Sequence, residues 1–154
     1  MSDRKSPELD LAVLCSYVVL DGQSQPFSLN EPLHTVLAPA DSTGKLPAPE
    51  FALYVQMTDE EAHGTYEFTV EVRTDTNIVI RPAAVEPVRV TFVKRYYPVR
   101  PFEHVFLIRD LVFDAPGGYH FHVMCGHASM SDRPNATRPA KLRVVRAESA
   151  GGAP

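Results

Sequence analysis

Tryptophan is absent from the 154 residues, and cysteine occurs only as Cys15 and Cys125. Without an indole, a flat platform for sugar rings would have to come from the six tyrosines, which makes carbohydrate binding a minor reading. Two cysteines inside apolar segments read as buried thiols in a reducing compartment, and spacing alone leaves open whether they pair. Long apolar runs are lacking too: no segment approaches the ~20 apolar residues of a membrane span. Helical periodicity is scarce, with no stretch long enough to demand a βαβ crossover. There is no Gly-x-Ser-x-Gly elbow, no glycine-rich loop leading into a helix and no internal repeat, so serine-nucleophile and phosphate-cradling chemistry lack their signatures. Positive charge is not in excess either. The formal net charge of -4 offers no broad attraction to phosphate backbones, which disfavours nucleic acids and anionic membranes as partners.

The amino-terminal region imitates an export signal, because Arg4 and Lys5 precede the apolar run 11–20. Asp10 interrupts the entry, Leu14 stands where a cleavage site needs a small residue, and Ser16 to Val19 continue as a good strand. The run is therefore expected to be the first core strand of a cytoplasmic protein. The triplet Asn135-Ala136-Thr137 has no glycosylation meaning in that compartment.

What the chain does contain is proline, 14 in all, and hydrophobicity with a period of two. Tyr66, Phe68, Val70 and Val72 alternate with Glu67, Thr69, Glu71 and Arg73. Val88, Val90 and Phe92 alternate with Arg89 and Thr91, and Leu142 and Val144 with Lys141 and Arg143. Pro116-Gly117-Gly118 is a turn launching a two-sided strand, with Tyr119, Phe121, Val123 and Cys125 on one face and His120, His122 and Met124 on the other. Residues 11–20, 51–57 and 105–113 are apolar on both sides, which suggests central positions or a covered outer face. Asp21-Gly22, the loop 39–49, the acidic stretch 59–64 and the polar turn 74–77 separate these runs. At most one helical turn is expected, near 58–62.

The expectation is an all-β, single-domain antiparallel β-sandwich of about eight strands over residues 9–146, Ig-like, jelly-roll-like or C2-like. Residues 1–8 form a flexible amino terminus and 147–154 a disordered tail in this reading.

Three blocks together resemble an uncharacterised bacterial family of small all-β proteins. They are Leu14-Cys15-Ser16-Tyr17-Val18-Val19-Leu20-Asp21-Gly22, residues 51–80, and the run from His104 through Pro116-Gly117-Gly118-Tyr119 to Gly126. The resemblance spans roughly residues 10–146 and implies an all-β fold. It implies no activity, and this chain departs from the pattern at the insertion 94–101 and in its histidine-rich last hairpin.

His120 and His122 share a strand face with about 7 Å between their β-carbons, close enough for two imidazoles to reach one transition metal. His63 or His104 could add a third donor from a neighbouring element, and Cys125 or His127 could do so only through a bulge at Gly126. His120-Phe121-His122 resembles the start of a cupin metal motif, without the glutamate and the distal histidine that complete it. Cys125-Gly126-His127 pairs a thiol with an imidazole, but in a strand read as core-facing. Asp59, Glu60 and Glu61 before His63 read as a solvated loop. Lys94, Arg95, Tyr96, Tyr97 and Arg100 interleave cations and aromatics, as a single-stranded nucleic-acid loop or an anionic-peptide contact would, and form the expected binding element.

The functional expectation is a non-enzymatic cytoplasmic module that binds a protein partner or itself through that loop or an exposed strand edge. No cofactor is expected. The alternative is a metal-binding protein or metal-dependent enzyme centred on His120 and His122.

Overall fold

A computed structural model describes residues 7–19, 28–58, 64–80, 85–92, 102–132 and 137–147. Its strands are β1 (Glu8–Val19), β2 (Ser28–Pro32), β3 (Thr35–Pro39), β4 (Leu46–Pro47), β5 (Phe51–Thr58), β6 (Gly64–Thr74) and β7 (Val79–Ile80). They continue with β8 (Val88–Phe92), β9 (Phe102–Ile108), β10 (Val112–Phe113), β11 (Gly117–Cys125), β12 (Ala128–Ser129) and β13 (Ala140–Ala147). Among the described residues the only helical element is the 3₁₀ turn Met130–Asp132, and no helix is long and apolar enough to cross a membrane. The protein is all-β. Nine of the strands have five or more residues and four are two-residue bridges, so there are more strands than the eight or so expected.

Three sheets form. The first has the order β2-β1-β5-β9 and is antiparallel throughout. The second runs β3-β13-β11-β6-β7, with β12 added to β11 and β8 to β6, and β10 pairs β4 in a two-stranded ribbon. The expectation of antiparallel pairing throughout is corrected at one place: β3 lies parallel to β13, with Thr35 opposite Arg143. The expected loop 39–49 contains β4, and the run 105–113 is two strands, broken where Asp110 adopts φ 54°. β1 begins at Glu8 and β13 ends at Ala147, one residue beyond the expected domain boundary at each end. The turn Asp21-Gly22 and the helical turn expected at 58–62 lie outside the described residues, apart from Thr58, which ends β5.

Alternation decides which side chains meet. Phe51, Leu53, Val55 and Met57 of β5 join Phe68, Val70 and Val72 of β6, Tyr119, Phe121 and Val123 of β11, and Leu142 and Val144 of β13 in one buried cluster. Each strand contributes every second residue, so both large sheets feed one core. Phe51 meets Phe121 edge-on with ring centroids 5.6 Å apart, and Phe92 of β8 meets Phe102 of β9 at 5.8 Å. Each such ring removed from water stabilises the fold by about 1.5–3 kcal/mol.

A second, smaller cluster of Cys15, Ala52 and Tyr54, with Leu11 and Val105 against it, occupies the opposite face of the first sheet. That explains why β1 and β5 are apolar on both sides: they are the central strands of their sheet, and their outer face is buried as well. The Cys15 thiol is buried, with Sγ 3.7 Å from Ala52 O.

Candidate functional site

The glycines that open β11 bring an acid to a histidine. Gly117 has φ 148°, a conformation that favours glycine, and a β-carbon on Gly118 would lie 2.7 Å from Asp75 Oδ2. Gly118 thus lets the carboxylate of the β6–β7 turn approach the strand. His120 Nε2 donates to Asp75 Oδ1 at 2.8 Å, and this hydrogen bond holds the Asp75 carboxyl below the usual range. The turn itself is the polar one read from sequence. Asn77 at φ 62° donates its N–H to Thr74 O, and the N–H of Thr74 closes on Ile78 O.

His122 faces the same side but is covered, 8% exposed, with Nδ1 2.7 Å from Ser129 Oγ. Ser129 is 4% exposed, and its oxygen also accepts the N–H of Ser131 at 3.2 Å. Burial pushes the His122 pKa down, aided by the nearby Arg73 charge, so the neutral ring is favoured. The Ser129 hydroxyl then donates to Nδ1. Across the ladder Glu71 stands opposite His122 and Arg73 opposite His120. Arg73 Nε meets Glu71 Oε1 at 2.8 Å, and its Nη1 lies 3.7 Å from Asp132 Oδ2. The wholly buried Met130 anchors the 3₁₀ turn in the core beside this network.

The two sequence-singled histidines therefore do share a face, as alternation requires, yet one nitrogen of each is engaged by a different partner. Among the described residues no three His, Cys, Asp or Glu side chains are grouped to hold a metal. His104 stands on β9 in the other sheet, His127 is exposed in the turn between β11 and β12, and Cys125 is half-buried on the core side. His63 and the acidic residues Asp59, Glu60 and Glu61 lie outside the described residues. So do all five members of the expected binding element, Lys94, Arg95, Tyr96, Tyr97 and Arg100.

A concave feature that the motif reading missed lies along β9. Residues 85–88, residues 104–107 and Arg109 line a groove of about 400 Å³. Among the described residues β9 pairs only with β5, so its far side is a sheet edge. In an antiparallel ladder alternate residues direct their N–H and C=O groups to opposite sides, and half of the β9 main chain points away from β5.

His104 is half-buried on this strand, its pKa pushed down by burial. Its ring stacks against Phe102 at 6.3 Å and meets Phe106 edge-on at 4.7 Å. Leu107 is 47% exposed, and the lining residue Arg109 forms a 3.0 Å ion pair through Nε with Glu50 Oε2. On the outer face of the same strand, Glu103 accepts a hydrogen bond from Tyr54, whose pKa is pushed up to about 12 by burial and then by this carboxylate. The sequence signal for the groove is the two-sided apolar character of residues 105–108. Which strand would be left at an edge is not encoded locally.

Compared with protein-family models, with curated proteins and with solved structures, the chain matches none.

Proposed function

We propose that this chain is a non-enzymatic cytoplasmic β-sandwich module that binds another protein, and that the groove along β9 is where it does so. The observation that carries this reading is the coincidence of a strand, β9, that among the described residues pairs on one side alone, a groove lined by residues 104–107 of that strand, and the exposed Leu107. Sheet edges accept further strands, and compact proteins commonly blunt them when they are not used. The chemistry elsewhere supports a binding role over catalysis. Burial pushes the Cys15 thiol pKa up, away from the nucleophilic thiolate. The Ser129–His122 pair has nucleophile-and-base spacing, but both side chains are covered, and the serine oxygen caps the turn that follows it.

Photocrosslinking tests the location. With p-benzoylphenylalanine at position 107, a discrete adduct is expected from an extract of the source cells, with none from position 89 on the other sheet. Equal labelling at both positions, or none at 107, overturns the reading.

The alternative of a metal-binding protein or metal-dependent enzyme using His120 and His122 draws on their common face. Elemental analysis of the purified protein separates the two. Near-stoichiometric transition metal that disappears in the His120→Ala, His122→Ala double variant would favour the alternative.

A further inference from the structure

We propose that His120 is a phosphoryl-acceptor site: its Nδ1 takes a phosphoryl group from a donor of the phosphoramidate class, which includes a phosphohistidine on a second protein. The inference goes beyond the docking reading and does not depend on it. Four features of the β11 face point to this chemistry.

The first is the state of the ring. Asp75 is ionised at neutral pH, its carboxyl held down first by the His120 hydrogen bond, and a carboxylate only accepts. The proton between them therefore belongs to Nε2, 2.8 Å from Asp75 Oδ1, and in the neutral ring the free electron pair sits on Nδ1. Among the described residues nothing hydrogen-bonds to that nitrogen. An imidazole so held is a nucleophile with its orienting carboxylate already in place.

The second is access. The side chain of His120 is 29% exposed and that of Asp75 59%, so a small anion can approach the ring from solvent. The third is the fit of the acid to the strand. The N–H of Gly118 also donates to Asp75, and a β-carbon at that glycine would meet Oδ2 at 2.7 Å and Oδ1 at 3.0 Å. A residue without a side chain is what admits the carboxylate here.

The fourth is charge. His120 stands in the ladder between Arg73 of β6 and Lys141 of β13, and β-carbons of such neighbours lie about 5 Å apart. Arg73 is tied to Glu71 and Asp132, while Lys141 is exposed and acts on Asp75. A transferring phosphoryl group spreads its negative charge over three oxygens, which flanking cations favour; an uncharged acyl group gains nothing from them.

In the transfer the Nδ1 electron pair forms the new N–P bond as the donor's own P–N bond breaks. The donor, already protonated, releases a neutral nitrogen base that carries away the electron pair of the broken bond. His120 keeps its Nε2 proton, and the positive charge left on its ring is offset by Asp75. The other described histidines each lack a part of this arrangement. His122 has Nδ1 engaged by Ser129 and is covered, and His104 is half-buried among aromatic rings. His34 and His127 are exposed, with no carboxylate at hydrogen-bond distance among the described residues.

The test is potassium phosphoramidate added to the full chain at neutral pH. Incorporation at each histidine is followed by mass spectrometry of peptides kept alkaline, and phosphorus NMR reads which nitrogen is linked. His120 is expected to be labelled about tenfold faster than His34 or His127 in the same sample, and at Nδ1. Asp75→Asn is expected to slow labelling of His120 about tenfold and leave the other two unchanged, and Gly118→Ala to do the same by displacing the carboxylate. Lys141→Gln is expected to slow it about threefold. Diethyl pyrocarbonate, an uncharged electrophile, is expected to favour His120 less than phosphoramidate does. Labelling of His120 no faster than His34 and His127, linkage at Nε2, or an unchanged rate in Asp75→Asn overturns the proposal. An equal preference with diethyl pyrocarbonate overturns the assignment to phosphoryl groups. The comparison among histidines is made within one molecule, so it decides the matter even where a variant fails to fold.

Discussion

The outer face of β11 and the edge of β9 that no described strand pairs are opposite kinds of surface. On β11 and the neighbouring β6 the conspicuous residues are side chains, and the structure has matched them: His120 with Asp75, His122 with Ser129, Arg73 with Glu71 and Asp132. On β9 the side chains are ordinary and the main chain is what lacks a described neighbour. The lesson is that eye-catching residue types can mark internal support, whereas a capacity for recognition can sit in backbone groups that every residue carries.

That contrast can be broken or sharpened by substitution. The largest effect is expected from Met130→Ala, which empties a wholly buried site beneath the 3₁₀ turn. It should cost about 2–5 kcal/mol in chemical denaturation and loosen the His122 environment with it. A loss below about 1 kcal/mol would mean that the turn does not hold the β11 face closed.

His122→Ala leaves Ser129 without its acceptor in a covered position and is expected to cost about 1–3 kcal/mol, with little change in the crosslinked adduct at position 107. Loss of the adduct in that variant would erase the separation between the two regions. His120→Ala removes a more exposed pair, and about 0.2–1 kcal/mol is expected from the same measurement. Leu107→Lys should be the smallest, within about 0.5 kcal/mol of the parent, since this side chain already meets water.

Acidity offers a further probe. His104 and His122 are both pushed below the ordinary value of 6.5, chiefly by burial. As pH falls through 6.5 the unfolded chain takes up these protons before the folded one, so stability declines with falling pH in the window between 6.5 and the folded-state values. The denaturant midpoint at pH 7.5 should therefore exceed that at pH 5.5, and His104→Gln and His122→Gln should each reduce the difference. A midpoint that is flat over this interval would mean that neither ring is as covered as described. Asp75, held below its ordinary 3.8 by His120, acts in a more acidic window and leaves this comparison undisturbed.

Strands with one wet face were legible because a single residue's polarity reports its side: β6, β8 and β13 fall where alternation puts them, and Phe68, Val72 and Leu142 point into the core. The shared face of His120 and His122 followed from the same rule. Their separate partners did not, because Asp75 is 45 residues away in sequence and the approach depends on the missing side chain of Gly118. Ser129 was equally silent, being a small residue whose role is set by the turn after it. The edge position of β9 is a consequence of sheet order, which long-range pairing decides. Residues 94–100, the stretch that looked most like a recognition loop, lie outside the described residues, so the structure neither adds to nor subtracts from that reading.

The parallel ladder between β3 and β13 has a consequence for how the molecule is made. Thr35 meets Arg143, so β3 leaves the ribosome about a hundred residues ahead of the strand it pairs with. During that interval the first sheet can assemble from β1, β2, β5 and β9, while β3, with Val36 and Ala38 destined for the core, has no ladder to join. The described ladder on that flank of the second sheet closes only after β13 has been made.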